Sequence, residues 1–322
     1  MMVAPLVTRR AAFLGSLGLV LSPLIAVADT SRPWRVALVT SGRSTLILSW
    51  LRDAFRERGY EEGKNLIIDV REAGGHYDAL PNLVAELLAQ KPDVIIAEAT
   101  PAVAVAQHAT SVIPIVMAPA TDPVGSGFIK TFAQPGGNIT GVANMFGELT
   151  KTLDIVRLVF PSVKKIGLLG SHNATHPAMA KLAKQGAAAI GVAAELFTAA
   201  DPEDLDKTFA DMKAASCEVV YVLADPPRPA LPQIALRYRL PTVYQVSTYP
   251  DLGGLMSYGP DLQALLSRAA DYTIRILDGQ KPSEMPVEQP TKFVFVVNLR
   301  TAKPLGVTIP EQVLLMADKV IE

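Results

Sequence analysis

Cysteine is almost absent from this chain: of 322 residues only Cys217 carries a thiol, so no internal disulfide can form and stability must come from packing. Cys217 precedes the apolar run Val219 to Leu223 with no histidine beside it in sequence, which reads as a small buried residue rather than a nucleophile. An excess of either charge is missing too. Thirty basic residues stand against 31 acidic ones, so no basic face invites nucleic acid and no field favours a polyanion. Aromatic residues make up only 6%, too few for a sugar-stacking platform. The chain lacks a Gly-x-Ser-x-Gly elbow, and Ser41-Gly42-Arg43-Ser44 does not supply one. It lacks a phosphate-binding Gly-x-x-x-x-Gly-Lys loop, and Gly125-Ser126-Gly127 is too short for a dinucleotide fingerprint. His172 and His176 are four apart, but Pro177 follows and neither the required glutamate nor a third ligand accompanies them. Isolated His76 and His108 have no catalytic partner in sequence. These absences point away from an enzyme and call for no metal and no cofactor. The remaining partner classes are a small molecule or another protein.

What is present begins at the N-terminus. Arg9 and Arg10 precede an apolar run from Ala11 to Val27, interrupted by Gly15, Gly18 and Pro23 and closed by Ala26-Val27-Ala28 before Asp29. A run of about 17 residues with a basic start and a small-x-small exit reads as a cleaved export signal over residues 1–28, with an uncleaved membrane anchor as the alternative. The paired arginines fit the twin-arginine route, although Ala12 stands where that signal usually has an aromatic residue. No cysteine lies near Ala28 to carry a lipid, so the expected product is an exported chain that does not span the membrane, periplasmic in an organism with two membranes.

With 49% hydrophobic and 19% charged residues, the remainder is long enough for two lobes of ordinary domain size. Apolar runs at strand spacing alternate with helical periodicity from Val36 to Met117: strands at 36–40, 66–70, 94–97 and 113–117, helices at 46–58, 77–90 and 101–109. The rhythm restarts at Ile166, with strands at 166–170, 193–197, 219–223 and 242–245 and helices at 176–191, 201–214 and 232–238. Strand-helix alternation at this spacing calls for a parallel sheet covered on both faces, because each right-handed crossover needs a helix to return the chain. The fold class is therefore α/β, two Rossmann-like doubly wound lobes with a hinge and a cleft between them. The turn cluster at 133–138, the segment 140–144 and a helix at 149–160 carry the chain across. A tail after Leu255 holds a helix at 261–277, a break at 279–282, a strand at 292–297 and a helix from Pro310. It is too short for a third domain and is expected to recross the hinge. The expected lobes are 35–143 with about 261–280, and 144–260 with about 283–322.

Five stretches occur in order: Gly59-Tyr60-Glu61-Glu62-Gly63-Lys64-Asn65-Leu66, Asp122-Pro123-Val124-Gly125, Pro135-Gly136-Gly137-Asn138-Ile139-Thr140-Gly141, Gly253-Gly254-Leu255-Met256-Ser257-Tyr258-Gly259 and Pro286-Val287-Glu288-Gln289-Pro290-Thr291-Lys292. Together they resemble the ABC transporter substrate-binding proteins related to tryptophan and tyrosine uptake, from about Arg35 to Glu322. The resemblance implies a periplasmic binding protein type I fold, three crossovers between lobes, closure over a small-molecule ligand and presentation to an ABC permease in the inner membrane. Amino-acid uptake in that family points to an aromatic amino acid or a related small carboxylate. A sensing module for a membrane receptor would use the same closed-cleft physics, and an exported hydrolase is a further alternative.

In open α/β sheets ligands lie beyond the carboxyl ends of the strands, so the loops there hold the candidates. Ser41 and Ser44 follow the first strand at a helix start, where free N–H groups favour an anion such as a carboxylate; an ordinary N-cap is the competing reading. Thr100, before Pro101, repeats the arrangement. Glu98 beside it would repel an anion, and the family generally has smaller residues there. Asp122 either meets a ligand amine or starts a turn before Pro123. Asn173 and Asp225 follow strands of the second lobe as amide and ammonium partners, or as turn residues. Asn144 and Phe146 lie by the first crossover, and Tyr244 and Tyr258 can wall a flat ligand or pack in the core.

Overall fold

A computed structural model describes residues 32–144 and 148–322. The expected leader at residues 1–28 and Phe146 lie outside the described residues. The first lobe runs β1 (Trp34–Thr40), α1 (Thr45–Glu57), β2 (Leu66–Glu72), a 3-10 turn at Tyr77–Ala79, α2 (Leu80–Ala89), β3 (Val94–Glu98), α3 (Ala99–Ala109), β4 (Ile115–Thr121) and β5 (Ile139–Asn144). All five strands are parallel, in the order β2-β1-β3-β4-β5. Side chains of a strand alternate between faces, and both faces here are covered. Val36 and Leu38 of β1 pack with Leu51 and Phe55 of α1, whereas Ala37 and Val39 pack with Leu80 and Val84 of α2 and Val103 of α3. Full burial of a side chain such as Leu51 or Phe55 contributes about 1.5–3 kcal/mol each.

The second lobe holds α4 (Glu148–Val159), β6 (Lys165–Gly170), α5 (His176–Ala189), β7 (Ala193–Thr198), α6 (Leu205–Ala214), β8 (Val219–Val222), α7 (Leu231–Arg237), β9 (Thr242–Tyr244) and β10 (Met256–Pro260). The chain then forms α8 (Leu262–Leu277), β11 (Phe293–Asn298), α9 (Leu299–Leu305), α10 (Glu311–Met316) and β12 (Lys319–Ile321). The seven-stranded order is β12-β11-β10-β9-β8-β6-β7. Its β10–β11 pair is antiparallel, a departure from the expected all-parallel sheet. The same alternation holds in β8, with Val219 and Tyr221 in one core and Val220 and Val222 in the other. Cys217 is buried in that second core with Phe209 and Met212, and burial raises its thiol pKa.

The tail after β10 visits both lobes. Leu265, Leu266, Ala269 and Tyr272 of α8 are buried with Val36, Leu51 and Phe55 of the first lobe, and Asp261 caps the helix by accepting from Ala264 N at 3.1 Å. Residues 285–288 then run beside β5: Thr140 Oγ1 donates to Met285 O at 2.7 Å and Ala143 N to Glu288 O at 2.9 Å. The chain returns to the second lobe as β11. Three passages therefore connect the sheets, after β5, after β10 and before β11.

Four elements differ from the expected pattern for physical reasons. Strand β4 runs on to Thr121, through the cis Ala118-Pro119 peptide, and its pairing with β5 is irregular between Met117 and Ala120. A proline without an N–H breaks the ladder there, which masks the continuation in sequence. The short β10 ends in Gly259-Pro260, and β12 has three residues, so neither presents a readable alternation. Helix α9 carries Pro304 near its C-terminal end and is stopped by Gly306 at φ 69°.

Candidate ligand-binding cleft

The carboxyl ends of both sheets converge on two adjoining cavities of ≈ 40 and ≈ 30 Å³. The first lobe contributes Glu98, Thr100, Thr121 and Asn144. The second contributes Asn173, Asp225, Gln245 and Val246, with Pro226, Pro227 and Leu262 as apolar walls. Spaces of this size hold a few waters, far below the few hundred Å³ of a typical ligand pocket, so the cleft is shut. The lobes touch directly around it. A Cβ on Gly42 would lie 2.5 Å from Pro226 Cβ, His76 is 3.6 Å from both Asp201 and Glu203, and the Tyr77 hydroxyl faces Asp225. A wider hollow of ≈ 290 Å³ between α1 and β2 is walled by Arg52, Arg56 and Glu62. It lies away from the strand ends, on a face where Arg52 and Glu62 already pair at 2.6 Å.

The structure divides the candidate residues. Thr100, Asn144, Asn173 and Asp225 line the cavities. Thr100 Oγ1 accepts from Thr121 N at 3.0 Å and so also ties α3 to β4. Asn144 Oδ1 is buried without a hydrogen-bond partner among the described residues. Ser41 and Ser44 do not line the cavities, because internal groups take their polar atoms. Ser41 Oγ donates to Glu98 O and accepts from Ala102 N, both at 3.1 Å, while Ser44 N and Oγ each donate to Glu72 at 2.8 Å. The expected anion seat at the start of α1 is thus served by the protein's own carboxylates: Glu72 at Ser44, and Glu98, whose Oε2 accepts from Ser41 N at 3.3 Å. Asp122, at φ 46°, accepts from Gly125 N at 3.0 Å, the turn role, and stands outside the lining. Tyr244 and Tyr258 are corrections as well. Tyr244 is fully buried and stacks on Tyr249 at 4.0 Å between centroids, and Tyr258 stacks on Phe293 at 5.9 Å under Lys151. Strand alternation turns both rings into the second-lobe cores, leaving the neighbouring Gln245 and Gly259 at the cavity.

The sequence profile of the ABC transporter substrate binding proteins matches residues 36–321. The chain belongs to this family. Over 261 residues it is 26% identical to a tyrosine-binding protein of Clostridioides difficile strain R20291, covering 78% of this chain and 74% of that one. An ABC domain from Streptococcus pneumoniae solved in complex with L-Trp superposes with a TM-score of 0.82 at 26% identity, over 90% of this chain and all of that chain. A conserved domain protein from Vibrio cholerae superposes with a TM-score of 0.83 at 29% identity, over the same shares. The fold is of the periplasmic binding protein type I kind. Members of the family are extracytoplasmic binding proteins rather than enzymes, and they work with a ligand and a permease. No helix among the described residues is long and apolar enough to cross a membrane.

In this substrate-binding protein the cavity-facing groups of the second lobe form one network. Asp225 meets Arg228 Nη2 at 2.8 Å, Asn173 Nδ2 at 3.3 Å and His176 Nε2 at 3.8 Å. Burial would raise the Asp225 pKa, but His176, Arg228 and the donated hydrogen bonds outweigh it and hold the carboxyl below its usual range. His176 Nδ1 accepts from Ser171 N at 2.7 Å, and its Nε2 faces Ala224 O at 3.1 Å. Arg228 is further held by Ala199 O at 3.1 Å, and its backbone N donates to the Tyr249 hydroxyl at 3.0 Å. Glu98 contrasts with Asp225. Burial pushes its pKa up to about 8, the Ser41 N–H offsets part of that, and the facing Asp225 adds to it.

Sequence reasoning left out Tyr77 and Arg228. Tyr77 follows Gly74-Gly75-His76 at the start of the helix predicted for 77–90, and Arg228 sits in a proline-rich loop where no periodicity assigns a direction. Arg228 did carry one readable signal, a cation three residues from an acid already singled out. Among the described residues, no group of three or more His, Cys, Asp or Glu is placed to hold a metal ion.

Proposed function

We propose that this chain is the periplasmic solute receptor of an ABC importer, exported with residues 1–28 as a cleaved leader. It would take a small solute of aromatic-amino-acid size between its lobes and deliver it to an inner-membrane permease. The observation that carries the reading is the convergence of both sheets' strand ends on one pair of cavities, with Glu98 from one lobe facing Asp225 from the other. A solute seated there touches both lobes at once, and so favours the closed arrangement over the open one by its differential affinity. The relatives named for tyrosine and solved with L-Trp support the size and framework of the solute, and the facing carboxylates favour an ammonium group on it.

Closure follows from the contacts across the cleft. The Tyr77 hydroxyl reaches Asp225, and Gly42 packs on Pro226, so the lobes dock with little rearrangement inside either one. The hinge consists of the three passages between sheets, where a few loop residues absorb the rotation. The decisive experiment combines thermal shift with small-angle scattering of the mature protein against aromatic amino acids and their derivatives. A ligand at about 100 times its dissociation constant raises stability by about 2.7 kcal/mol, and the scattering radius should contract on its addition. Absence of any stabilising solute, or turnover of one, would refute the reading.

A further inference from the structure

The polar groups at the cleft are lopsided in a way that bears on the solute. Five backbone donors at the strand ends are already engaged. In the first lobe Ser41 N goes to Glu98 and Ser44 N to Glu72. In the second, Ser171 N goes to His176 Nδ1 at 2.7 Å, Thr175 N to Asn173 Oδ1 at 3.1 Å and Ala224 N to Gln245 Oε1 at 2.7 Å. No Lys, Arg or His is among the described residues lining either cavity. Arg228, the ion-pair partner of the cavity-lining Asp225, is committed to that carboxylate and to Ala199 O.

Acceptors, by contrast, are in surplus. Glu98 is 5% exposed, lines the cavity, and forms no ion pair among the described residues, its oxygens meeting only backbone N–H groups. Asn144 Oδ1, which borders both cavities, is buried with no hydrogen-bond partner among the described residues. A carboxylate brought to this place would face the acid groups Glu98 and Asp225, with side-chain amides such as Gln245 Nε2 as its donors and no cation in the lining. A cation bearing N–H bonds would neutralise Glu98 and satisfy Asn144 in a site that excludes water.

We infer that the cleft selects the ammonium group of an amine carrying no carboxylate at that end, an arylalkylamine or alkylamine rather than an α-amino acid. The inference rests on the cleft being the solute site, and names what that site takes. The ammonium sits against Glu98 and Asn144 Oδ1, and the apolar body lies along Pro226, Pro227, Val246 and Leu262. Because the cation is bound by ionised Glu98, a protonated Glu98 must release its proton as the amine enters.

Titration calorimetry on the full mature protein tests this with three frames, phenol, indole and branched alkyl, each as amine, α-amino acid and deaminated acid. The tyramine, tryptamine or isoamylamine member should bind at least about ten-fold tighter than its amino acid, the worth of one charge-assisted hydrogen bond, and the acids should not bind. At pH 6.5, buffers of different ionisation enthalpy should report release of about one proton per amine bound, vanishing near pH 9 as Glu98 ionises in advance. Glu98→Gln should cost the amine at least about ten-fold and abolish the proton release. The wild-type proton count decides the matter by itself if that variant does not fold. Tighter binding of the amino acid than of the amine, or competition by the deaminated acid, overturns this inference and leaves the importer reading standing. Failure of all nine probes to bind overturns both.

Discussion

Glu98 has an electrostatic position that costs the free protein stability as pH rises. Its pKa is about 8 in the folded chain, because burial and the facing Asp225 penalise the charge, against 4.5 when unfolded. The folded state therefore holds a proton that the unfolded state has lost throughout that interval. Stability is fully present below about pH 4.5 and declines as pH rises to about 8, above which this group contributes no further slope. Denaturant titrations of the ligand-free protein across that window should show the decline, and Glu98→Gln should flatten it. Thr100 makes a different claim. Its hydroxyl accepts from Thr121 N at 3.0 Å, and Thr100→Val would leave that buried N–H unpaired at about 1–3 kcal/mol. Equilibrium unfolding should register the loss even without solute, so any effect on affinity must be read against it. The positions of Thr100, Asn173 and Asp225 follow from the rule that loops after strands face the cleft. The rule does not say which N–H groups the chain will satisfy internally, which is why Ser41 and Ser44 face Glu98 and Glu72 instead.

At the scale of elements, β9 and β10 pack against each other with no spare volume at the cleft edge. A Cβ placed on Gly259 would lie 1.7 Å from Gln245 O, a backbone atom that cannot swing aside. Gly259→Ala must separate β10 from the loop after β9, and overpacking of this kind costs about 1–3 kcal/mol or more. Thermal unfolding should place it well below Gly137→Ala, where a Cβ meets nothing within 4 Å and φ is not left-handed. The long elements were legible because their periodicities are enforced by burial. The alternation in β1 and β8 places successive residues in opposite cores, and α8 shows helical spacing with an Asp261 cap. The elements that were not legible are set by distant partners. Strand β12 exists because Val296 to Asn298 of β11 offer an edge, and β4 passes through Pro119 because β5 continues beside it. No window of local sequence contains that information.

The whole molecule turns on one contact that belongs to neither lobe alone. Gly42 follows β1 and Pro226 follows β8, and they meet only when the cleft is shut. Within 4 Å of a Cβ on Gly42, the nearest atoms are all from Pro226, and the backbone there is not left-handed. Gly42→Ala should therefore fold as stably as the parent while the added methyl, 2.5 Å from Pro226 Cβ, holds the lobes apart. A solute whose affinity depends on touching both lobes then pays for the displacement, and affinity falls in proportion to the closed population that remains, Kd rising by its reciprocal. The expected result is an unchanged unfolding midpoint without solute, a Kd raised at least about ten-fold, and a scattering radius that no longer contracts on adding the solute. A variant that binds and contracts like the parent would show that Gly42 and Pro226 need not meet in the bound state.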